Sequence, residues 1–139
     1  MEITQKYINE LTHVIIGAAI EVHKELGPGL LESVYVKCLA HLLKEEGFTV
    51  LEQQKVPLIF HGLKLDCDLR YDLLVENLII VEAKANDGLL PINEAQLLTY
   101  LKLLEKPKGI LINFNCINIF REGQKTMVTE MFSRLPRGY

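Results

Sequence analysis

The 139-residue chain has no tryptophan, only two serines (Ser33 and Ser133) and three isolated cysteines. Each scarcity removes a class of function. Neither serine lies in a G-x-S-x-G turn, so the nucleophile elbow of a serine hydrolase is absent. No Gly-Lys-Ser/Thr occurs, which excludes a Walker phosphate loop. Cys38, Cys67 and Cys116 make no C-x-x-C and are odd in number, against both a thiolate zinc site and a disulfide framework. That usage fits a reducing cytoplasm. His13, His23, His41 and His61 show no H-E-x-x-H or other ligand spacing. His23, just before Gly27-Pro28-Gly29, reads either as a helix-packing residue or as part of a site. Without tryptophan a sugar cleft has few stacking rings, which weakens a glycosidase reading of any carboxylate pair.

Positive charge is also scarce. Fifteen Lys and Arg stand against 18 Asp and Glu, a net charge of −3, so no global field draws nucleic acid. Such contact would rest on a local patch drawn from Lys102, Lys106, Lys108, Arg134 and Arg137. The N-terminus lacks the basic-then-apolar order of a secretory signal, and no uncharged run is long enough to span a membrane. The expectation is one soluble, cytoplasmic domain, residues 1–139, with no membrane partner and enough chain to bury a core.

The stretch from Arg70 to Lys84 is the most informative. It reads as two short apolar strands joined at Glu76-Asn77. Asp72 is expected inside the first strand, with Glu82 and Lys84 at the end of the second, all among Leu, Ile and Val. Ionisable groups in such surroundings are costly unless compensated, and a divalent cation compensates two carboxylates well. A buried ion pair between Lys84 and one of the acids is the plainer alternative. Because side chains alternate, a two-residue turn at Glu76-Asn77 would put Asp72 and Glu82 on opposite faces. A bulged or three-residue loop, such as a type I turn with Asn77 left-handed, brings them to one face. The metal reading requires that loop.

Elsewhere, apolar spacing predicts a helix from about Ile3 to Glu25, with Ile8, Leu11, Ile15, Ala18, Ala19 and Val22 as its buried stripe. A second helix is expected from about Leu30 to Glu46, with Leu31, Val34, Cys38, Leu39, Leu42 and Leu43 inward. Glu32 and Tyr35 share a face near its start. There the helix dipole favours an acid even without function, so the spacing leaves Glu32 open between structure and site. Thr49–Gln54, Val56–Phe60 and Leu63–Cys67 read as strands, with His61-Gly62 a turn. Pro91 opens a third helix with Asn93 as N-cap, Leu97, Leu98, Leu101 and Leu104 inward, and Gln96 and Tyr100 projecting as a polar pair. Gly109–Asn115, Ile117–Phe120 and Lys125–Met131 are expected as strands and Arg134–Tyr139 as a loose tail. The order predicts an α/β fold: one mixed sheet with helices packed against it.

An Asp followed ten residues later by Glu-x-Lys suits metal-assisted phosphodiester cleavage. Hard oxygen ligands hold Mg2+ or Mn2+, and a nearby Lys orients water or stabilises developing charge. Asp72 with Glu82-Ala83-Lys84 resembles the D…(D/E)xK signature of the PD-(D/E)xK nuclease superfamily. Gln96-Leu-Leu-Thr-Tyr100 is similar to the QxxxY motif of its RecB-like branch, and Gly29-Leu-Leu-Glu32-Ser-Val-Tyr35 to the motif naming the bacterial GxxExxY proteins. Three motifs in order, over about Ile15 to Arg121, carry the resemblance; Tyr71 stands where the superfamily name has Pro. The resemblance implies a restriction-endonuclease-like core. It makes Asp72, Glu82 and the Ala83 carbonyl ligands of Mg2+ or Mn2+, and Glu32 a helix-borne acid completing the metal site. Lys84 would position the attacking water, and Gln96 and Tyr100 would line the cleft. The implied substrate is nucleic acid, DNA ahead of RNA. The alternative is a catalytically silent module that keeps the fold and binds nucleic acid or a protein partner. Arg70 reads as a phosphate contact, a partner for Glu32 or a surface ion pair. A homodimer through the apolar first helix would enlarge the binding surface.

Overall fold

A computed structural model describes residues 2–139. Its elements run α1 (Gln5–Leu26), α2 (Glu32–Glu45), β1 (Val50–Glu52), β2 (Leu58–Phe60), β3 (Leu63–Leu65), β4 (Leu73–Val75) and β5 (Ile79–Lys84). They continue with α3 (Pro91–Leu104), β6 (Lys108–Asn113), α4 (Ile119–Glu122), β7 (Gln124–Val128) and α5 (Glu130–Ser133). Five strands form one mixed sheet in the order β1-β4-β5-β6-β7, while β2 and β3 stand apart as a hairpin turning at His61-Gly62. Only β5 and β6 run parallel, and α3 is the crossover such a pair requires.

Helices cover both faces of the central strands, which explains why β5 and β6 read as nearly unbroken apolar runs. On one face Leu73, Val75, Ile79, Val81 and Ala83 pack with α1 and α2. On the other, Leu74, Ile80 and Leu111 pack with Leu97, Tyr100 and Leu101 of α3. Each such aliphatic side chain contributes about 1.5–3 kcal/mol of burial. Among the described residues no helix is long and apolar enough to cross a membrane.

Several expectations need correction. The stripe of α1 is buried as expected, so that face is occupied by the chain's own core and offers nothing to a dimer. In α2 Leu39 and Leu43 are buried as expected and Cys38 and Leu42 partly so, but Tyr35, Val36 and Ala40 complete the inward face while Leu31 and Val34 are exposed, Leu31 by 74%. Two overlapping apolar stripes run along this helix, and packing against Phe114 selects the one that includes Tyr35. Asn93 is not the N-cap of α3. It sits at the third helical position, and its Oδ1 accepts from the N–H of Leu90, the actual cap residue. Leu98 and Leu104 are only half-buried, and Tyr100 takes the core position instead. Ile117–Phe120 is not a strand, because the Asn118 side chain caps a helical turn by accepting from the Arg121 N–H. The strand expected to reach Met131 ends at Val128, before α5. The tail is not loose: the carbonyls of Pro136 and Arg137 accept from the N–H groups of Gln5 and Lys6, two of the otherwise unpaired donors opening α1.

Gly109 in β6 sets how closely α3 approaches. A Cβ added there would lie 2.8–2.9 Å from the side chain of fully buried Leu97. Gly109→Ala should therefore destabilise the protein by about 1–3 kcal/mol through overpacking. Urea unfolding should also show that Leu97→Ala costs less in the G109A background than alone, because the smaller side chain makes room for the added methyl.

Candidate functional site

The hairpin register brings the two carboxylates together. Val75 pairs with Ile79 across a three-residue loop, and Leu73 pairs with Val81. Extending the ladder by one residue sets Asp72 opposite Glu82, on the α3 face of the sheet. The expected odd-numbered loop is present with one difference: Glu76 and Asn77 are both left-handed, at φ 53° and 57°. The Glu76 carboxylate steadies that turn by accepting from the Thr49 N–H at 2.7 Å. Asp72 is not inside β4, as expected, but in the bend immediately before it. There it lies beyond the regular ladder, and its carboxylate is free to bond backbone. Asp72 Oδ2 accepts from the Ala83 N–H at 2.8 Å, and Oδ1 accepts from the Gln53 side-chain amide at 3.1 Å. In a strand the N–H and C=O of one residue leave on the same side, so the Ala83 carbonyl also faces the Asp72 side.

Glu82 is 4% exposed, and its Oε1 has no hydrogen-bond partner. Burial, reinforced by the charge and hydrogen bonding of Asp72, pushes its carboxyl up to about 9 against the pull of Lys84. Without a cation the pair therefore holds a proton near neutral pH. Buried polar atoms without partners are rare, and two converging carboxyls that keep one orphaned oxygen mark a binding position. The donor set suits Mg2+ or Mn2+. Such ions take one or two carboxylates and fill the remaining positions with water and substrate oxygen, not with a full protein cage.

Lys84, Gln96 and Tyr100 line one cleft of about 500 Å³ with Leu69, Ile92, Asn93, Ala95 and Thr99. Tyr100 is no freely projecting polar residue. It is 5% exposed, and burial followed by the charges of Glu82 and Asp72 raises its phenol further, keeping it a hydrogen-bond donor. Gln96 Nε2 donates to the Tyr100 hydroxyl at 3.4 Å. Five of the six expected side chains are thus gathered around one cleft and carboxylate pair.

Glu32 does not join the carboxylate pair. Among the described residues no group of three or more His, Cys, Asp and Glu side chains converges to hold a cation, and the charges acting on Glu82 are those of Asp72 and Lys84. Glu32 opens α2, half-buried. One turn later Tyr35 stacks on Phe114, with ring centroids 4.3 Å apart, and its hydroxyl donates to the Gly27 carbonyl and accepts from the Leu30 N–H. Phe114 in turn donates its N–H to the Lys84 carbonyl. The G-x-x-E-x-x-Y segment is thereby tied to the Lys84 end of the sheet.

Arg70 does not pair with Glu32. It pairs with Asp68 at 2.7 Å and donates to the Gln53 carbonyl at 2.9 Å. His23 is a packing residue, its Nε2 2.8 Å from the Cys116 carbonyl. Lys108 is buried, donating to Asn9 over the Phe132 ring, so it cannot serve a surface patch. It also pairs with Ile79, at the opposite end of β5 from Lys84. Gln53 is expected inside a strand over Thr49–Gln54, but β1 ends at Glu52, and a polar strand residue carries no signal of a site.

A family model described as the PD-(D/E)XK nuclease superfamily matches residues 9–127. Neither the curated proteins nor the solved structures contain a match. The matched span holds all three motifs and the whole five-stranded sheet up to Met127, and the chain belongs to the PD-(D/E)XK nuclease superfamily.

Proposed function

We propose that the protein is a Mg2+- or Mn2+-dependent nuclease that hydrolyses phosphodiester bonds, with DNA ahead of RNA as substrate. The observation that carries this reading is the Asp72–Glu82 pair on one sheet face, with an orphaned buried oxygen and Lys84 beside it. Asp72, Glu82 and the Ala83 carbonyl would hold the cation. A cation bound there polarises the scissile phosphate and lowers the pKa of bound water.

The chain's own groups account for the rest. Ala83 and Gln53 hold the Asp72 carboxylate in place with two donors. Lys84 aligns the attacking water and offsets charge developing on the phosphate. Tyr100 and Gln96 present a phenol and an amide to substrate oxygens from the cleft wall. Glu32, at the start of the adjoining helix, would be a further acid on the side of the site that Tyr35 and Phe114 link to Lys84. With so few free cations nearby, substrate grip relies on a short stretch of backbone, and affinity should fall only shallowly with salt.

Cleavage of single-stranded DNA, double-stranded DNA and RNA with Mn2+ or Mg2+ tests the reading. Asp72→Ala should abolish cleavage, and Lys84→Ala should reduce it on the order of 100- to 1,000-fold. Wild-type protein that binds Mn2+ through Asp72 yet cleaves none of the three would instead support a silent nuclease-fold module.

The Glu82 carboxyl also sets two pH dependences. Its folded pKa lies above the ordinary 4.5, so in metal-free protein its stabilising contribution is full below about 4.5 and is lost as pH rises through about 9. Chemical unfolding from pH 5 to 9 should show falling stability, and Glu82→Gln should flatten that slope. Mn2+ must displace the Glu82 proton, so calorimetric Mn2+ affinity should rise with pH over the same window.

A further inference from the structure

We infer that Gln53 is a positioning residue for the proposed cation site, acting through Asp72; the inference rests on the metal reading above. Gln53 lies just past β1 with φ +51°, a conformation that costs a non-glycine residue energy and that asparagine or glycine would adopt more easily. The side chain is exposed, so core packing does not explain why glutamine stands there.

Three hydrogen bonds define what the conformation achieves. The Gln53 N–H donates to the Asp72 carbonyl at 3.0 Å, and the Gln53 carbonyl accepts from Arg70 at 2.9 Å. With both main-chain groups clamped, the side-chain amide reaches back and donates to Asp72 Oδ1 at 3.1 Å. Both Asp72 oxygens are held, Oδ2 by Ala83 and Oδ1 by Gln53, so turning the carboxylate breaks a hydrogen bond. Arg70, paired with Asp68, secures the clamp through its bond to the Gln53 carbonyl.

The test exploits the strained backbone. Gln53→Gly removes the amide while relieving the positive φ, so structural cost and positioning separate. Gln53→Asn also suits that φ, but its amide is one methylene short of Asp72. Calorimetric Mn2+ titration of the full chain, with Asp72→Ala as the control that loses binding, should show both variants weakened about 10- to 100-fold. Thermal unfolding without metal should give Q53G a midpoint equal to or above wild type. Wild-type affinity in Q53G, with binding still lost in Asp72→Ala, would overturn the inference while leaving the metal site intact. A Q53G midpoint that falls together with the affinity would overturn it in favour of a structural role. Wild-type protein that binds no Mn2+ would remove the metal reading itself and the inference with it.

Discussion

Val75 pairs with Ile79 across a three-residue loop, and that register decides the face taken by every residue further along the hairpin. With one residue fewer in the loop, Asp72 would leave the Glu82 face, and Leu73 and Val75 would turn from the α1–α2 side to the α3 side. The left-handed pair Glu76 and Asn77 supplies the loop, and the Thr49 backbone holds it through Glu76. Core and site therefore depend on the same turn: the register that buries Val81 and Ala83 against α1 and α2 is the one that aims Glu82 at α3.

That dependence makes the position of Glu82 costly. A carboxyl beneath a closed helix face cannot be hydrated, so it holds a proton, leaving one oxygen without a partner. Nothing in the packing requires an acid there, since Leu111 and Ile80 fill the neighbouring positions of the same face. A destabilising polar group on an otherwise consistent core face is where function overrides local rules. Around it the supports are rigid: α3 is pressed against β6 by the absence of a side chain at Gly109, and that contact holds Tyr100 and Gln96 at the cleft.

The glycine-rich segment before α2 serves the same end of the sheet. Tyr35 closes the Gly27–Leu30 loop with its hydroxyl and stacks on Phe114 with its ring, while Phe114 binds the Lys84 backbone. This linkage explains why Gly29 and Tyr35 belong to one motif: the helix start is fixed relative to the strand that carries the lysine.

The family, the parity of the hairpin loop and the main helices were legible because each is written in local order: motif spacing, alternation with period two, and apolar stripes broken by Gly-Pro-Gly. Asp72, Glu82, Lys84, Gln96 and Tyr100 could be named together because their motifs lie on elements whose periods were unambiguous. Other features depended on partners distant in the chain. Which of two apolar stripes α2 buries was decided by Phe114, and the ordering of the tail by the open amides of α1. Ile119 looked strand-like until the Asn118 cap turned the chain into a helical turn. Gln53 became meaningful only because folding set its amide against Asp72. The sequence by itself determined which residues are the candidates for the chemistry, since spacing along a strand or helix is a local property. The tertiary structure alone decided which of them meet, what holds them, and that Glu82 is buried enough to keep its proton, because burial and long-range hydrogen bonds exist only once the sheet has closed under α3.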